Sequence, residues 1–138
     1  MADYFTHFSC LFDVGSAENA ALALAIYAAE PEDGAGEPPL SEGFLASVQA
    51  GGSGAVLWLR DDANGDPERL IQFVKLCAAA FALKGRWGFQ YANTCSQPRL
   101  DGFGGGAHVL DLATGETIGW TCTEAWLVDL INDGSARA

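Results

Sequence analysis

The first stretch of the chain alternates apolar and polar residues. Over residues 4–14 the apolar side chains Phe8, Cys10 and Phe12 are separated by mainly polar ones, which is the two-residue period of a strand with one buried face. Residues 55–60 form a second, more apolar run, typical of a more deeply buried strand. Each run is followed by an acidic turn and a long apolar segment, so the chain repeats one strand–helix unit.

Two helices are predicted from their first residues. Ser16 is a suitable N-cap for a helix that runs to about Ala29 and stops at Pro31, because its hydroxyl accepts a hydrogen bond from an amide of the first turn. Asp66 is placed to cap a second helix, with Pro67 at the first helical position, where no amide hydrogen is needed. The apolar face of this second helix is predicted to contain Leu70, Ile71, Val74, Cys77 and Phe81.

The remaining elements are shorter. Residues 44–49 and 87–91 are predicted to be strands, and residues 108–112 and 117–122 to form a hairpin. A last helix over residues 124–132 is expected to bury the apolar side chains Trp126, Leu127, Leu130 and Ile131.

The order of these elements predicts a single α+β domain over residues 1–138. Two strand–helix–strand halves with right-handed crossovers place two helices on one face of an antiparallel sheet, the ferredoxin-like arrangement, with a C-terminal hairpin and a short helix added. Residues 31–43 hold acids, prolines and glycines and are predicted to form an exposed loop, and residues 134–138 a frayed tail. The open face of the sheet is expected to be covered by the terminal helix or a second subunit, because it would carry Phe5, His7, Leu11 and Trp58.

Charge is unevenly distributed along the chain, which has a formal net charge of −11. Residues 1–59 hold eight acids and no Lys or Arg, whereas residues 60–138 hold ten acids and seven bases. Such a field repels nucleic acid and anionic membranes and favours a basic partner, or it keeps a small protein soluble. An acidic partner surface is therefore predicted at Glu30, Glu32, Asp33, Glu37 and Glu42.

Composition also bears on where the protein works. No apolar run reaches the roughly 18 residues of a membrane span, and the N-terminus lacks the basic start of an export signal. The four cysteines form no Cys-x-x-Cys pair, and three of them lie in apolar segments, so we expect reduced thiols and no disulfide framework. These features predict a cytoplasmic protein.

The segment 93–106 is polar at first and then rich in glycine, and it is predicted to be a functional loop. With the strand that follows, it supplies an amide, a thiol, a guanidinium, a carboxylate and an imidazole beside glycines that permit close backbone approach. The candidate ligand or partner residues are Asn93, Cys95, Arg99, Asp101 and His108.

Three interpretations of this segment stay open. Cys95 would act as a nucleophile if His108 or His7 lay within hydrogen-bond reach. Arg99 would bind a carboxylate or phosphate group of a ligand with two parallel hydrogen bonds. Alternatively, the polar side chains satisfy turn backbone and Arg99 pairs with Asp101.

No motif indicates a metal or a cofactor, and none is predicted. His7 and His108 alternate with apolar residues and have no third ligand at metal-site spacing. The glycines of residues 102–106 lack the Lys-Ser/Thr ending of a phosphate-binding loop. The acids of residues 61–66 resemble the start of a calcium loop, but Gln72 stands where the last carboxylate should be.

Three segments of the chain resemble a group of small bacterial proteins carried on plasmids and mobile elements. They are residues 70–79, residues 85–96 and residues 98–108, and the resemblance extends over roughly residues 5–130. The group has no assigned activity, so the resemblance implies a standalone accessory protein and transfers no catalytic residue.

Together these observations predict a noncatalytic protein-interaction or regulatory module, including the possibility of an inhibitor that imitates nucleic-acid charge. It would engage a basic protein partner through its acidic N-terminal half and residues 93–106, would not bind nucleic acid directly, and has features compatible with a homodimer. The alternative is a small-ligand binder or enzyme that uses the polar, glycine-rich segment from Asn93 to His108.

Overall fold

The computed structural model describes residues 2–29 and 39–133. Three helices, seven strands and one 3-10 turn at Leu40–Glu42 are found there. The strands are β1 Tyr4–His7, β2 Ser9–Asp13, β3 Leu45–Val48, β4 Val56–Arg60, β5 Arg86–Cys95, β6 Gly104–Asp111 and β7 Thr117–Cys122. The helices are α1 Ala17–Ala28, α2 Pro67–Phe81 and α3 Thr123–Asn132.

The predicted α+β class is confirmed, but the strands form two antiparallel sheets instead of one. The larger has the order β1-β5-β6-β7 and the smaller the order β2-β4-β3. The predicted neighbours in the two halves of the chain do pair, with Phe12 opposite Leu57. The first predicted strand is divided at Phe8, however, and its two parts join different sheets.

Asp61 accounts for the division at Phe8. The Phe8 amide donates to the Asp61 Oδ1 carboxylate oxygen at 2.9 Å, and the Phe8 carbonyl accepts from the Asp61 backbone amide at 3.0 Å. A buried backbone group needs a partner, and Asp61 supplies one for each polar group of Phe8. The Phe8 ring is buried at this junction and meets Phe89 edge-on, with ring centroids 5.9 Å apart.

Both predicted helix starts are confirmed. The Ser16 hydroxyl accepts the Asn19 amide at 3.1 Å, and the Asp66 carboxylate accepts the Glu68 amide at 3.0 Å. The buried face of α2 differs in part from the prediction, since it consists of Leu70, Phe73, Val74, Cys77 and Ala78.

The core lies between helices α1 and α2 and the two sheets. Its largest fully buried side chains include Phe12, Phe44 and Phe73. The Phe73 ring contacts Phe12 at a centroid distance of 6.4 Å and Phe44 at 5.4 Å. Trp87 of β5 links the larger sheet to the smaller one, because its indole N–H donates to the carbonyl of Leu11 in β2 at 2.9 Å. No residue of β7 or α3 belongs to this core in the described part of the chain.

The loop predicted over residues 93–106 is shorter in the structure. Strand β5 continues to Cys95 and β6 begins at Gly104, so residues 96–103 alone connect them. The glycine run forms strand because it leaves room for its neighbours: a Cβ on Gly106 would lie 2.6 Å from the Tyr91 hydroxyl oxygen. These glycines permit close packing within the sheet.

The terminal helix α3 is present, but the prediction that it buries its apolar side chains is wrong. Trp126, Leu127 and Ile131 are exposed, and Leu130 is half-buried. The helix packs mainly against β6 and β7, the last two strands of the larger sheet. Its first turn is capped by the Cys122 thiol, which accepts the Ala125 amide at 3.4 Å.

Part of the predicted loop over residues 31–43 is also corrected. Leu40–Glu42 form the 3-10 turn, and the Phe44 carbonyl after it accepts a hydrogen bond from the Tyr27 hydroxyl. Residues 31–38 of the predicted loop and the predicted tail 134–138 lie outside the described residues.

The glycine packing gives a stability prediction. We expect Gly106→Ala to lower the free energy of unfolding by about 1–3 kcal/mol, since the new methyl group must displace the Tyr91 ring or a strand. Gly119→Ala in β7 is the matched control, because nothing lies within 4 Å of a Cβ there. Urea denaturation measures both, and equal stability of the two variants would contradict the packing argument.

Candidate functional site

The structure places the five predicted site residues on two strands and the turn between them. Asn93 and Cys95 lie in β5, Arg99 and Asp101 in the turn, and His108 in β6. Asn93 accepts the Thr6 hydroxyl at 2.9 Å, and Asp101 accepts the Tyr4 hydroxyl at 3.1 Å. No ion pair joins Arg99 to Asp101 in the described residues.

The structure does not bring Cys95 to either histidine. His108 is opposite Phe89, six residues before Cys95 on the same strand, which is a separation of about 20 Å at about 3.3 Å per residue. His7 contacts the side chain of Thr94, and successive strand residues point to opposite faces. The geometry therefore gives Cys95 no imidazole base.

Asn93 and His108 do share a cavity of about 370 Å³ between the larger sheet and the start of α2. His108 forms a 2.8 Å hydrogen bond between its Nε2 atom and the Thr117 hydroxyl. Desolvation, with a smaller effect from the Lys75 charge, lowers the pKa of His108, which favours the neutral imidazole. This cavity is the part of the predicted ligand site that the fold assembles.

Most of the predicted acidic surface lies outside the described residues. Glu30, Glu32, Asp33 and Glu37 belong to that part of the chain. Glu42 is described and is exposed at the end of the 3-10 turn. The acidic surface therefore stays a prediction.

A second constellation, which the sequence did not predict, joins Thr94, His7 and Asp61. The Thr94 hydroxyl lies 3.0 Å from His7 Nε2, and His7 Nδ1 lies 2.9 Å from Asp61 Oδ2. The Phe5 ring stacks on the imidazole with a centroid distance of 6.2 Å. These contacts join residues 54 and 87 positions apart, so no local spacing could have revealed them.

Asp61 is the charged end of this constellation. Burial raises its pKa, but the hydrogen bonds from His7 and from the Phe8 amide, with the His7 charge, outweigh burial and leave the pKa below its usual value. The carboxylate is therefore ionised at neutral pH. It borders a cavity of about 390 Å³ that His7 also lines.

Leu100, in the turn between β5 and β6, is the most exposed large apolar residue of the described chain, at 108%. The next three, Trp120, Ile131 and Trp126, lie in β7 and α3 near its C-terminal end. We define the C-terminal apolar surface as six side chains of β7 and α3. Three of these side chains are more than 60% exposed: Trp120 at 69%, Ile131 at 67% and Trp126 at 61%. The full set is Ile118, Trp120, Trp126, Leu127, Val128 and Ile131.

Within residues 2–29 and 39–133, no group of three or more His, Cys, Asp or Glu side chains is arranged to hold a metal ion. No helix in that part of the chain has the length and apolar character needed to cross a membrane. All four cysteines are free thiols, and burial raises the pKa of Cys10 and of Cys77 to about 12.

Comparison with known proteins adds no functional assignment. No family model, no curated protein and no solved structure matches this chain.

The lowered pKa of Asp61 predicts a pH dependence of stability. A carboxylate with a depressed folded-state pKa stabilises the fold above its unfolded pKa of about 3.9, and this contribution is lost as pH falls through the folded value. We expect wild type to be more stable than Asp61→Asn at pH 7, with the difference shrinking below about pH 4. Urea denaturation from pH 7 to pH 2.5 measures it, and a difference that does not change with pH would contradict the assignment.

Proposed function

We propose that the protein is a protein-interaction module that binds a basic partner through its C-terminal apolar surface. The observation that carries the proposal is the exposure of Trp120 and Trp126 on neighbouring elements. Tryptophan is enriched among the residues that contribute most to binding energy at interfaces. Large apolar side chains exposed together on a protein surface mark interaction sites.

The size of the surface suits a protein partner. At their fractional exposures, the six side chains leave on the order of 600 Å² accessible, taking roughly 150–250 Å² for a whole aromatic side chain and less for an aliphatic one. A standard interface takes about 800 Å² from each partner. Trp126 and Val128 are two residues apart on α3 and point about 160° apart at about 3.6 residues per turn, so a single partner face contacts part of this area.

The terminal helix also gains from a partner. It has ten residues, and isolated helices shorter than about 12–15 residues are marginal in water. Nine of its ten residues are exposed and only Leu130 is half-buried, so contacts within the chain contribute little to holding it. A partner that covered Trp126 and Ile131 would stabilise the helix as it bound.

Charge around the surface favours a basic partner over a second copy. Residues 117–133 contain Glu124, Asp129 and Asp133 but no Lys or Arg. No ion pair joins Glu124 or Asp129 to a base in the described residues. Two copies meeting here would bring like charges together, whereas a partner with lysines or arginines at its rim would be complementary.

The test uses two synthetic amphipathic helical peptides that differ only in charge, one of Leu and Lys and the other of Leu and Glu. We expect the Leu/Lys peptide to shift the tryptophan fluorescence of the protein. The double variant Trp126→Ser/Ile131→Ser should bind it at least about tenfold more weakly, since truncated central residues cost 2 kcal/mol or more. Trp58→Ser is the matched control, because Trp58 is an exposed tryptophan on β4.

Three results would overturn the proposal. Equal binding of the Leu/Glu peptide would remove the charge argument. Equal binding by the double variant would place the contact elsewhere. A wild-type homodimer in sedimentation analysis that the double variant converts to a monomer would show that the surface is occupied by a second copy.

We extend the proposal to the topology of the fold, the location of the protein and its biological role. We propose that the two sheets form a ferredoxin-like arrangement whose first strand is interrupted at Phe8, supported by the pairing of β5 with β1, β2 with β4 and β4 with β3. We propose a cytoplasmic location, supported by the four free cysteines. Regulation or inhibition of a basic protein, as an accessory function of a mobile element, fits the net charge of −11.

A further inference from the structure

We propose that Thr94, His7 and Asp61 form a catalytic hydroxyl–imidazole–carboxylate array that hydrolyses small acyl esters. A nucleophile needs a base within about 2.6–3.2 Å and a third group that orients the base. The Thr94 hydroxyl lies 3.0 Å from His7 Nε2, and Asp61 Oδ2 lies 2.9 Å from His7 Nδ1. His7 Nε2 is therefore placed to accept the proton of the Thr94 hydroxyl, and Nδ1 to donate to the Asp61 carboxylate.

The carboxylate is itself held in place. Asp61 Oδ1 accepts the Phe8 amide at 2.9 Å, which leaves Oδ2 directed at the imidazole. The carboxylate side chain is 17% exposed, against 39% for His7. The end of the array that must stay ionised is fixed and shielded, and the imidazole is open to a substrate.

A cavity of about 390 Å³ adjoins the array. Ala92 lines it, and Thr94 lies two residues further along β5, so its side chain is on the same face of the strand. Phe8 and Tyr91 also border the cavity, with their rings packed against Phe89. Gln90 contributes an amide with N–H donors. The volume is near the lower end of the range for small-molecule sites, which suits a short acyl group.

The proposed reaction balances with water as the second reactant. The Thr94 oxygen forms a bond to the ester carbonyl carbon while its proton passes to His7 Nε2. The bond to the leaving alcohol then breaks, and that alcohol takes the proton from Nε2. Water then attacks the carbonyl carbon of the acyl-threonine and gives a proton to Nε2. The carboxylic acid leaves, and the Thr94 oxygen regains the proton from Nε2. Asp61 stays ionised throughout.

A second histidine of the chain, His108, has a hydroxyl partner but, within the described residues, no carboxylate. Thr117 and His108 form the same hydroxyl–imidazole contact, at 2.8 Å. No Asp or Glu of the described residues pairs with His108. The pair therefore has a hydroxyl and a base but no orienting carboxylate.

The experiment measures p-nitrophenyl acetate hydrolysis and labelling by a fluorophosphonate probe, with the labelled residue located by peptide mass spectrometry. We expect wild type to release a burst of one nitrophenolate per chain and to be labelled at Thr94. Thr94→Val should lose the burst and at least about 100-fold in rate. Thr117→Val should keep the wild-type rate within twofold.

The Thr94→Val variant keeps the shape and β-branching of the side chain, and urea denaturation of each variant checks that it folds. His7→Asn is a second variant and should also lose the burst. The proposal is overturned if wild type shows neither burst nor label, if the label lies on another residue, or if folded Thr94→Val hydrolyses the ester at the wild-type rate. Loss of stability in Thr94→Val without any burst in wild type would show that the array only fastens β1 to β5.

Discussion

The hydrogen bonds between Asp61 and Phe8 determine how the two sheets meet. Asp61 follows β4 directly, and it satisfies both backbone polar groups of Phe8, the residue at which the first strand leaves one sheet and enters the other. Without these bonds a buried residue would hold an unpaired amide and an unpaired carbonyl, each at a cost of about 1–3 kcal/mol. The second oxygen of the same carboxylate orients His7. One side chain thus links the division of the strand to the proposed catalytic array.

The core explains why the C-terminal end of the chain is exposed. The buried side chains of the core cluster come mainly from α1, α2, β2, β4 and β5, with Leu110 as the fully buried contribution of β6. Strand β7 and α3 are attached beyond that core at the edge of the larger sheet. Their apolar residues are not needed for packing within the chain and remain available for a partner.

Local rules predicted much of the fold. Ser16 and Asp66 cap their helices as expected, because capping depends on residues within one turn. The hairpin ending in Thr117–Cys122 was also predictable from alternation and a turn between its strands.

What the sequence did not reveal depends on distant contacts. The break at Phe8 is caused by a residue 53 positions away. The glycines at 104–106 suggested a loop, because the fit of Gly105 and Gly106 against Tyr91 is visible only once the strands are paired. The apolar pattern of α3 was recognised correctly, but a pattern cannot say whether the chain itself or a partner covers Trp126. The Thr94–His7–Asp61 array was missed for the same reason, since its members come from three distant segments of the chain.

Amide hydrogen exchange at Phe8 tests the role of Asp61 most directly. In wild type we expect the Phe8 amide to exchange as slowly as the amides of the buried strand β4. In Asp61→Ala the Phe8 amide has lost its hydrogen bond to the carboxylate, so it should exchange at least about 100-fold faster. The Leu57 amide should keep its protection. A Phe8 amide that exchanges rapidly in wild type, or that is unchanged in Asp61→Ala, would contradict the account.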